Sequence, residues 1–258
     1  MTAHPTAIIH PSAKLACSVT VGPYSLIGEN VEVGEDCEVM SHCVLEGNTR
    51  IGKGNRIFPY ASIGLAPQDL KYRGEATCLE IGDGNTIREF VTIHRGTEEG
   101  DRATRIGNHN LLMAYVHIAH NCHLGSYIIM ANGASLAGHV EIQDYATVGA
   151  FCGIHQFCRI GAYSFLGSYS IVNQDILPCS KTSAPRPLTV MGVNRLGLER
   201  RGLSADDLKE LERAFRLLTR SKLNTTQALE AIQASGFNSE HVRALVEFIR
   251  TSERGVVK

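Results

Sequence analysis

The sequence predicts a parallel β-helix that is followed by a small α-helical region. Aliphatic residues recur at every sixth position over most of the chain, glycine or alanine often follows them, and helical spacing starts only near residue 204. A period of six fits neither the 3.6-residue period of an α-helix nor the two-residue alternation of an ordinary strand. It is typical of a triangular prism in which each hexapeptide forms one face, so that three hexapeptides complete a coil.

The hexapeptide frame is unbroken from Ile9 to Ile63. The next two positions of the frame are acidic, so residues 64–80 are predicted to form a loop outside the prism. A second insertion, near residues 97–104, shifts the frame by one position before the apolar residues resume. Residues 1–190 are therefore expected to form one β-helix domain with two loops.

A different pattern follows the last hexapeptide. Three prolines between Pro178 and Pro187 are predicted to interrupt regular structure. Ser204, with two aspartates shortly after it, is typical of a helix N-terminus. Residues 191–258 are therefore expected to form an α-helical C-terminal domain. The apolar residues that predict its three helices are Leu208, Leu211, Phe215 and Leu218, then Ala228, Leu229 and Ile232, then Val242, Leu245, Val246, Phe248 and Ile249.

Composition limits the partners of the chain. Its 258 residues include 25 basic and 26 acidic side chains, for a formal net charge of -1, and 43% are hydrophobic. A protein with so small a net charge is not attracted electrostatically to nucleic acid or to anionic membranes as a whole. No stretch approaches the roughly 18 apolar residues of a spanning helix, and the N-terminus lacks the basic and apolar regions of a secretory signal. We therefore expect a cytoplasmic protein that binds no nucleic acid and does not insert stably into membranes.

The cysteines fit the frame as core residues. None of the eight has the CxxC spacing of a metal or redox motif. Five of them fall four positions after an aliphatic residue of the frame, which points them into the prism, where a thiol behaves as a small hydrophobic group. These five are Cys37, Cys43, Cys122, Cys152 and Cys158.

Three histidines stand at three-residue intervals in the segment AYVHIAHNCHLG: His117, His120 and His123. On a helix they would share one face and indicate a metal site. On the prism, His117 and His123 take equivalent positions on successive faces, so the three imidazoles cannot converge within one chain. A metal shared between subunits is the alternative, but no carboxylate or thiolate completes such a site, and we predict none.

Stacking of successive coils gives these histidines different surroundings. If one coil contains three hexapeptides, Gly138 lies over His120, His139 over Asn121, and His155 over Ala137. A histidine base beside a glycine amide is what acyl transfer requires, because it combines a proton acceptor with a donor for the developing oxyanion. The alternative for any one histidine is a solvent-exposed corner residue. The stacking favours a general base at His120.

Several longer motifs carry a resemblance that covers essentially the whole chain. They are APQDLKYRGE, VTIHRGT, NLLMAYVHIAHNC, LAGHV, HQFCRIGA and GVNRLGLERRG. In this order the chain resembles the UDP-N-acetylglucosamine O-acyltransferase family of hexapeptide-repeat acyltransferases. The resemblance implies an all-β left-handed parallel β-helix, an exception to the usual right-handed crossover. It also implies a homotrimer with sites between neighbouring prisms.

The resemblance also implies a reaction. Family members transfer an R-3-hydroxyacyl chain from acyl carrier protein to the 3-hydroxyl of UDP-N-acetylglucosamine, the first step of lipid A biosynthesis. No cofactor is expected, since the acyl donor is carried on the phosphopantetheine of the carrier protein. On this chain the implied general base is His120, and the implied oxyanion donor is the amide of Gly138. No covalent acyl-enzyme is required.

The resemblance assigns further residues to binding. Asp69 and Lys71 match the loop that holds the sugar, while His117 and His139 match polar residues that line the site. The residues that match nucleotide contacts are His155, Gln156, Asn194, Arg200 and Arg201, and arginine suits a pyrophosphate because its planar fork gives two parallel hydrogen bonds. The acid-free run Arg213, Arg216, Arg220 and Lys222 would be a docking patch for the acidic carrier protein. Its alternative interpretation is a solvated helix face.

Three positions depart from the family pattern. Asn121 stands where aspartate is common, and an amide can orient an imidazole without lending it a charge. Ser168 stands where glycine often acts as the acyl-chain ruler, and Pro187 stands where a histidine lies near the end of the acyl slot. A side chain at Ser168 would shorten that slot, so we expect a preference for medium chains of about ten to twelve carbons.

Three alternatives share parts of this pattern. The same transfer could go to the 3-amino group of UDP-GlcNAc3N. The related N-acyltransferases have the same prism and a comparable histidine, but they carry an extra N-terminal uridine-binding domain, whereas the hexapeptides here begin at Ile9. A non-catalytic hexapeptide-repeat binding protein is the third, and the pairing of His120 with Gly138 argues against it.

Overall fold

The computed structural model describes residues 1–184 and 187–258. Its dominant feature is a left-handed parallel β-helix, in which each coil gives one short strand to each of three sheets. Sheet A contains β1 (Thr2–Ala3), β4 (Thr20–Val21), β7 (Glu38–Val39), β10 (Arg56–Ile57), β13 (Thr86–Ile87), β16 (Leu111–Leu112), β19 (Ile129–Met130), β22 (Thr147–Val148), β25 (Phe165–Leu166), β27 (Ser180–Ser183) and β28 (Thr189–Val193).

The other two sheets complete the prism. Sheet B contains β2 (Ile8–Ile9), β5 (Leu26–Ile27), β8 (Val44–Leu45), β11 (Ser62–Leu65), β14 (Thr92–His94), β17 (His117–Ile118), β20 (Ser135–Leu136), β23 (Gly153–Ile154) and β26 (Ile171–Val172). Sheet C contains β3 (Lys14–Leu15), β6 (Val31–Val33), β9 (Asn48–Ile51), β12 (Cys78–Ile81), β15 (Ala103–Ile106), β18 (His123–Leu124), β21 (Glu141–Ile142) and β24 (Arg159–Ile160).

The predicted coil length is confirmed by the strand register. Ile118 pairs with Leu136, and Leu136 pairs with Ile154, so each step between coils is 18 residues. The aliphatic residues of the frame point inward, and Ile63, Leu112 and Ile118 are fully buried. The five cysteines predicted to be core residues are buried as well. Burial of one aliphatic side chain on each face of every coil is what stabilises the prism.

The first loop is shorter than predicted, and the second begins and ends two residues earlier than predicted. Ile63 pairs with Ile93 (93 − 63 = 30), and Ile93 pairs with Ile118 (118 − 93 = 25), so both intervals exceed one coil of 18 residues. Strand pairing continues past the predicted loop bounds, because β11 extends to residue 65 and β12 begins at residue 78. The first loop therefore covers residues 66–77, not 64–80. The second covers residues 95–102, not 97–104, because β14 ends at residue 94 and β15 begins at residue 103.

The corners of the prism hold side chains in the left-handed region of backbone conformation. Examples are Tyr115 at φ 64°, Asn121 at φ 58° and Tyr127 at φ 59°. Tyr115 lies at the A–B corner, Asn121 at the B–C corner and Tyr127 at the C–A corner, named for the sheets that each corner joins. Residues one coil apart at a corner stack, and the rings of Tyr127 and Tyr145 are 4.9 Å apart. Asparagine tolerates this conformation better than most residues.

A ladder of asparagines runs inside the prism. Asn55, Asn85 and Asn110 are buried on successive coils. The Asn55 Oδ1 accepts from the Asn85 amide at 2.9 Å, and the Asn85 Oδ1 accepts from the Asn110 amide at 2.9 Å. The ladder ends where the Asn110 Oδ1 accepts from the amide of Ile128 at 2.7 Å. Each buried amide thereby satisfies backbone groups that the corner leaves without a strand partner.

The C-terminal region differs from the prediction in one respect. The proline-containing connector was expected to lack regular structure, but β27 and β28 form an antiparallel pair on sheet A. β28 spans the boundary that the sequence places at residue 190, and Pro185 lies outside the described residues. The helices are α1 (Arg195–Arg200), which the apolar spacing did not predict, α2 (Ala205–Thr219), α3 (Thr225–Ala234) and α4 (Glu240–Arg250).

The predicted helix start is confirmed at Ser204, whose side chain accepts from the amide of Asp207 and caps α2. The apolar faces of α2, α3 and α4 bury Leu211, Ala228 and Leu245 against one another. This second core also contains Leu177, which follows the last coil. In the described part of the chain, no helix is long and apolar enough to cross a membrane.

Candidate active site

His120 lies at the B–C corner, where β17 has ended and the chain turns toward β18. Its side chain is only 15% exposed. Gly138 occupies the coil above, as the coil length predicts, and a methyl group built on Gly138 would lie 2.5 Å from His120 Cε1. Only glycine therefore leaves room for the imidazole. The Gly138 residue is buried, and no acceptor among the described residues takes its backbone N–H. A free amide and a histidine thus lie side by side.

Asn121 fixes the orientation of His120. The Asn121 Oδ1 accepts from the Thr97 amide at 2.9 Å and from the Thr97 hydroxyl at 2.8 Å. The same Oδ1 lies 3.0 Å from His120 Nδ1. Because the Thr97 amide can only donate, the atom must be the oxygen, and His120 Nδ1 must carry a proton to bond it. The neutral ring therefore keeps Nε2 free as the proton acceptor.

The first loop supplies the wall opposite His120. Asp69 Oδ2 lies 4.0 Å from His120 Nε2, which is too long for a hydrogen bond. Lys71 is held nearby, because its Nζ lies 2.9 Å from Glu99 Oε1 and its amide donates to Asp69 Oδ1 at 2.9 Å. A cavity of about 190 Å³ lies between the two loops and is lined by Asp69, Lys71, Tyr72, Glu75, Thr97, Glu98 and Glu99.

Three more imidazoles surround the site. The rings of His139 and His120 are 5.3 Å apart and perpendicular, and the rings of His94 and His117 have the same spacing and are also perpendicular. His117 is fixed by a 2.7 Å hydrogen bond between its Nδ1 and the Thr92 hydroxyl. Each of the three neighbours of His120 is thus held by ring packing, by a hydrogen bond or by both.

These three neighbours are kept neutral. Burial lowers the pKa of His94 to about 4, and repulsion from His117 and His120 adds to this effect. Burial, with repulsion from His120, also lowers the pKa of His117 and of His139. His94 is not among the predicted site residues, although it stands in the motif VTIHRGT. Its signal is the position at the end of β14, next to the coil that carries His117.

His123 does not join this group. It lies on sheet C, half-exposed, with its Nε2 3.1 Å from Asp101 Oδ2. The structure thus separates the three histidines of the AYVHIAHNCHLG segment, as the prism geometry predicts. Among the described residues, no group of three or more His, Cys, Asp or Glu side chains could hold a metal ion.

The residues matched to nucleotide contacts lie in two places. His155 and Gln156 are exposed near the B–C corner, one coil above Ala137 and Gly138. Asn194, Arg200 and Arg201 instead line a cavity of about 670 Å³ at the C–A corner, beside Tyr145 and Tyr163. The Arg201 guanidinium lies 4.3 Å from the Tyr145 ring centre, and Asn194 Nδ2 donates to the Tyr163 carbonyl at 3.0 Å. Within one chain, sheet C separates the two groups.

Ser168, the predicted acyl-chain ruler, does not lie near His120 of the same chain. It is exposed at the A–B corner, across sheet B from His120, and its hydroxyl accepts from the Ala150 amide at 3.2 Å.

The four basic residues that were predicted to bind the carrier protein are also exposed. Arg213 and Arg216 lie on α2, Arg220 and Lys222 follow it, and none of the four forms an ion pair with any residue that the structure describes. We call these four residues the basic patch.

Comparisons with known proteins agree over the whole chain. A family model described as UDP N-acetylglucosamine O-acyltransferase, domain 2, matches residues 175–257, and a bacterial transferase hexapeptide model matches residues 103–138. The acyl-[acyl-carrier-protein]–UDP-N-acetylglucosamine O-acyltransferase of Thermodesulfovibrio yellowstonii is 45% identical over 255 residues, which cover 99% of this chain and 98% of that protein. That of Halorhodospira halophila is 48% identical with the same coverage. A crystal structure of the Moraxella catarrhalis UDP-N-acetylglucosamine O-acyltransferase is 44% identical, covers 100% of both chains and has a TM-score of 0.96.

Proposed function

The chain belongs to the UDP-N-acetylglucosamine O-acyltransferase family, and from this premise we propose how it acts. It transfers an acyl chain from acyl carrier protein to UDP-N-acetylglucosamine, the first step of lipid A biosynthesis. The acyl group is an R-3-hydroxyacyl chain, and the acceptor atom is the 3-hydroxyl of the sugar. The observation that carries this proposal is Gly138, whose amide has no acceptor among the described residues, in contact with a histidine whose Nδ1 is held by Asn121 Oδ1.

The reaction proceeds in one displacement. His120 Nε2 takes the proton of the sugar 3-hydroxyl while the oxygen attacks the thioester carbonyl. The carbonyl oxygen gains negative charge in the tetrahedral state and accepts the hydrogen bond of the Gly138 amide, which has no other acceptor among the described residues. The C–S bond then breaks, and protonated His120 returns the proton to the phosphopantetheine thiolate. An ester and a free thiol result, and no group remains on the enzyme.

Asn121 orients the imidazole of His120 and places no charge beside it. Its amide oxygen holds the His120 Nδ1–H throughout the reaction, so Nε2 always faces the substrate. The nearest carboxylate is that of Asp69, 4.0 Å from Nε2. We propose that Asp69 and Lys71 of the first loop bind the sugar, and that His117 and His139, which lie near His120, are further polar groups of the site.

The nucleotide requires a second copy of the chain. His155 and Gln156 lie on the same corner as the base, whereas Asn194, Arg200 and Arg201 lie at the C–A corner. We propose a homotrimer in which the C–A corner of one prism faces the B–C corner of the next. The two arginines would then meet the pyrophosphate with paired hydrogen bonds. In this packing the A–B corner, which carries Ser168, points away from both neighbours, so the proposal does not include Ser168 as the acyl-chain ruler.

The carrier protein would bind at the basic patch. The patch has no acidic partner among the described residues. Arg213 and Arg216 are exposed on α2, and Arg220 is exposed directly after its last residue. Acidic partners are steered by such surfaces and bind more weakly as salt increases. We further propose a cytoplasmic location, since all eight cysteines are free thiols, which is typical of proteins in a reducing compartment.

The test is mass spectrometry of the product formed from UDP-N-acetylglucosamine and a mixture of acyl carrier proteins. It identifies acceptor, linkage and chain length together, and a parallel reaction with UDP-GlcNAc3N separates ester from amide formation. His120→Ala should lower turnover by about 100-fold or more. His42→Ala is the matched control, because His42 stacks between Tyr24 and Tyr60 at a different corner. Equal turnover by both variants would refute His120 as the base.

A further inference from the structure

The second loop wraps around Asn121. Residues 97–102, which we call the strap, cross over the B–C corner. The Thr97 amide and hydroxyl donate to Asn121 Oδ1, and Asn121 Nδ2 donates to the Glu99 carbonyl at 2.8 Å. A methyl group built on Gly100 would lie 3.6 Å from Asn121 Nδ2 and 3.8 Å from His139 Cε1. The strap therefore contacts two residues of the site from the outside.

Asp101 attaches the strap to sheet C. Its Oδ2 accepts from Arg105 on β15 and lies 3.1 Å from His123 Nε2 on β18. Its Oδ1 accepts from the Ala103 amide at 3.3 Å. One carboxylate thus bonds two side chains that stand on neighbouring strands of a rigid sheet. This connection uses His123, the histidine of the AYVHIAHNCHLG segment that the reaction does not need.

The rest of the strap has weaker attachments near its middle. Residues 98–102 are exposed, and Glu98 pairs with Arg102 within the strap itself. Glu99 pairs with Lys71, which belongs to the other loop and not to the prism. The Arg102 carbonyl accepts from the Cys78 amide at 3.0 Å and fixes the end of the strap. Asp101 is therefore the side chain that connects the middle of the strap to a sheet.

We propose that Asp101 is a positioning residue, which holds the strap against Asn121 and thereby keeps His120 in the tautomer with a free Nε2. The inference rests on the proposed function, because only a reaction that uses Nε2 as a base depends on this tautomer. If the anchor is lost, the Glu99 carbonyl and Gly100 can leave Asn121, whose side chain then turns more freely. A base displaced by about 1 Å loses much of its effect on rate.

Asp101→Asn tests the proposal, and Glu80→Gln is its matched control. Glu80 Oε2 lies 3.0 Å from Nε of the same Arg105, on the same sheet, but Glu80 stands on β12 and not on the strap. Asp101→Asn should lower kcat about tenfold and leave the KM for UDP-N-acetylglucosamine within about twofold. Glu80→Gln should leave both constants within about twofold, and thermal unfolding should be similar for the two variants because exposed ion pairs contribute little. His123→Gln removes one of the two partners and should lower kcat by a smaller factor.

A second readout does not depend on turnover. Nitrogen-15 NMR of histidine-labelled protein reports which ring nitrogen of His120 carries the proton, with the signals assigned by His120→Gln. The parent protein and Glu80→Gln should show Nδ1 protonated, and Asp101→Asn should show a mixture of tautomers. If Asp101→Asn matches Glu80→Gln in both kcat and ring signals, the proposal is wrong. If the parent protein transfers no acyl group at all, the proposed function is wrong, and the ring signals alone decide the role of Asp101.

Discussion

Replacing Gly138 with alanine changes the contact between the two groups that the reaction needs most. The added methyl would lie 2.5 Å from His120 Cε1, 2.8 Å from Nε2 and 3.1 Å from Nδ1. Carbon atoms in ordinary contact are about 3.5 Å apart or more, so the ring must move by about 1 Å. The Gly138 amide itself is retained, so only the position of the base changes. A shift of this size should reduce kcat about 100-fold.

Gly153→Ala provides the matched control. Gly153 lies on the next coil of the same prism, but a methyl group built on it meets no atom within 4 Å. Neither glycine has a positive φ, so backbone strain does not distinguish the two substitutions. The assay is the initial rate of acyl transfer to radiolabelled UDP-N-acetylglucosamine, with thermal unfolding measured on the same samples. Gly138→Ala should lose activity with a change in Tm of only a few degrees. If it retains more than about half of the parent kcat, the proposed contact between Gly138 and His120 does not govern the rate.

Two predictions concern stability. His94 has a pKa of about 4 in the folded protein and near its ordinary 6.5 in the unfolded chain. Between these pH values the unfolded chain therefore binds more protons than the folded protein. The free energy of unfolding should then fall as pH is lowered from about 6.5 to about 4. Urea unfolding at several pH values should show a smaller fall for His94→Gln, and an unchanged slope would contradict the burial of a neutral ring. Asn85→Ala should lower the free energy of unfolding by about 2–4 kcal/mol, because the Asn110 amide and the Gly107 carbonyl lose their partner in a dry interior. Asn48→Ala, at an exposed position, should cost much less, and equal costs would argue against the ladder as a stabilising element.

The prism could be predicted almost completely, because one physical rule applies at every coil. An aliphatic side chain must point inward on each face, so the period of six appears directly in the sequence and fixes which residues lie over one another. The stacking of Gly138 on His120 follows from this count alone. Where strands run beyond their hexapeptide, as at Leu65 and Cys78, the rule gives no boundary, because backbone pairing continues past the one position in six that the rule fixes.

The rest of the site depends on contacts that do not follow the six-residue repeat of the sequence. The strap reaches Asn121 from a loop whose path the sequence does not specify, so the bonds of Thr97 and Glu99 could not be predicted. The 18-residue count did not place His94 beside His117, because Ile93 pairs with Ile118 (118 − 93 = 25) across a longer coil. The antiparallel pair β27 and β28 could not be predicted, because Pro178 precedes β27 and Pro187 precedes β28, and the sequence rule treats proline as a break in structure.

Because the coils stack, the number of coils in the prism does not affect the distance between His120 and Gly138. His120 and Gly138 are a single coil apart, so their distance is set by the spacing between neighbouring strands and not by the length of the prism. Whole coils could have been gained or lost below or above this pair during evolution without moving either group. An insertion of one residue between them would instead turn each later side chain to the wrong side of its strand. The prism is therefore free to vary in height, while the short segment between base and oxyanion donor must keep its exact length.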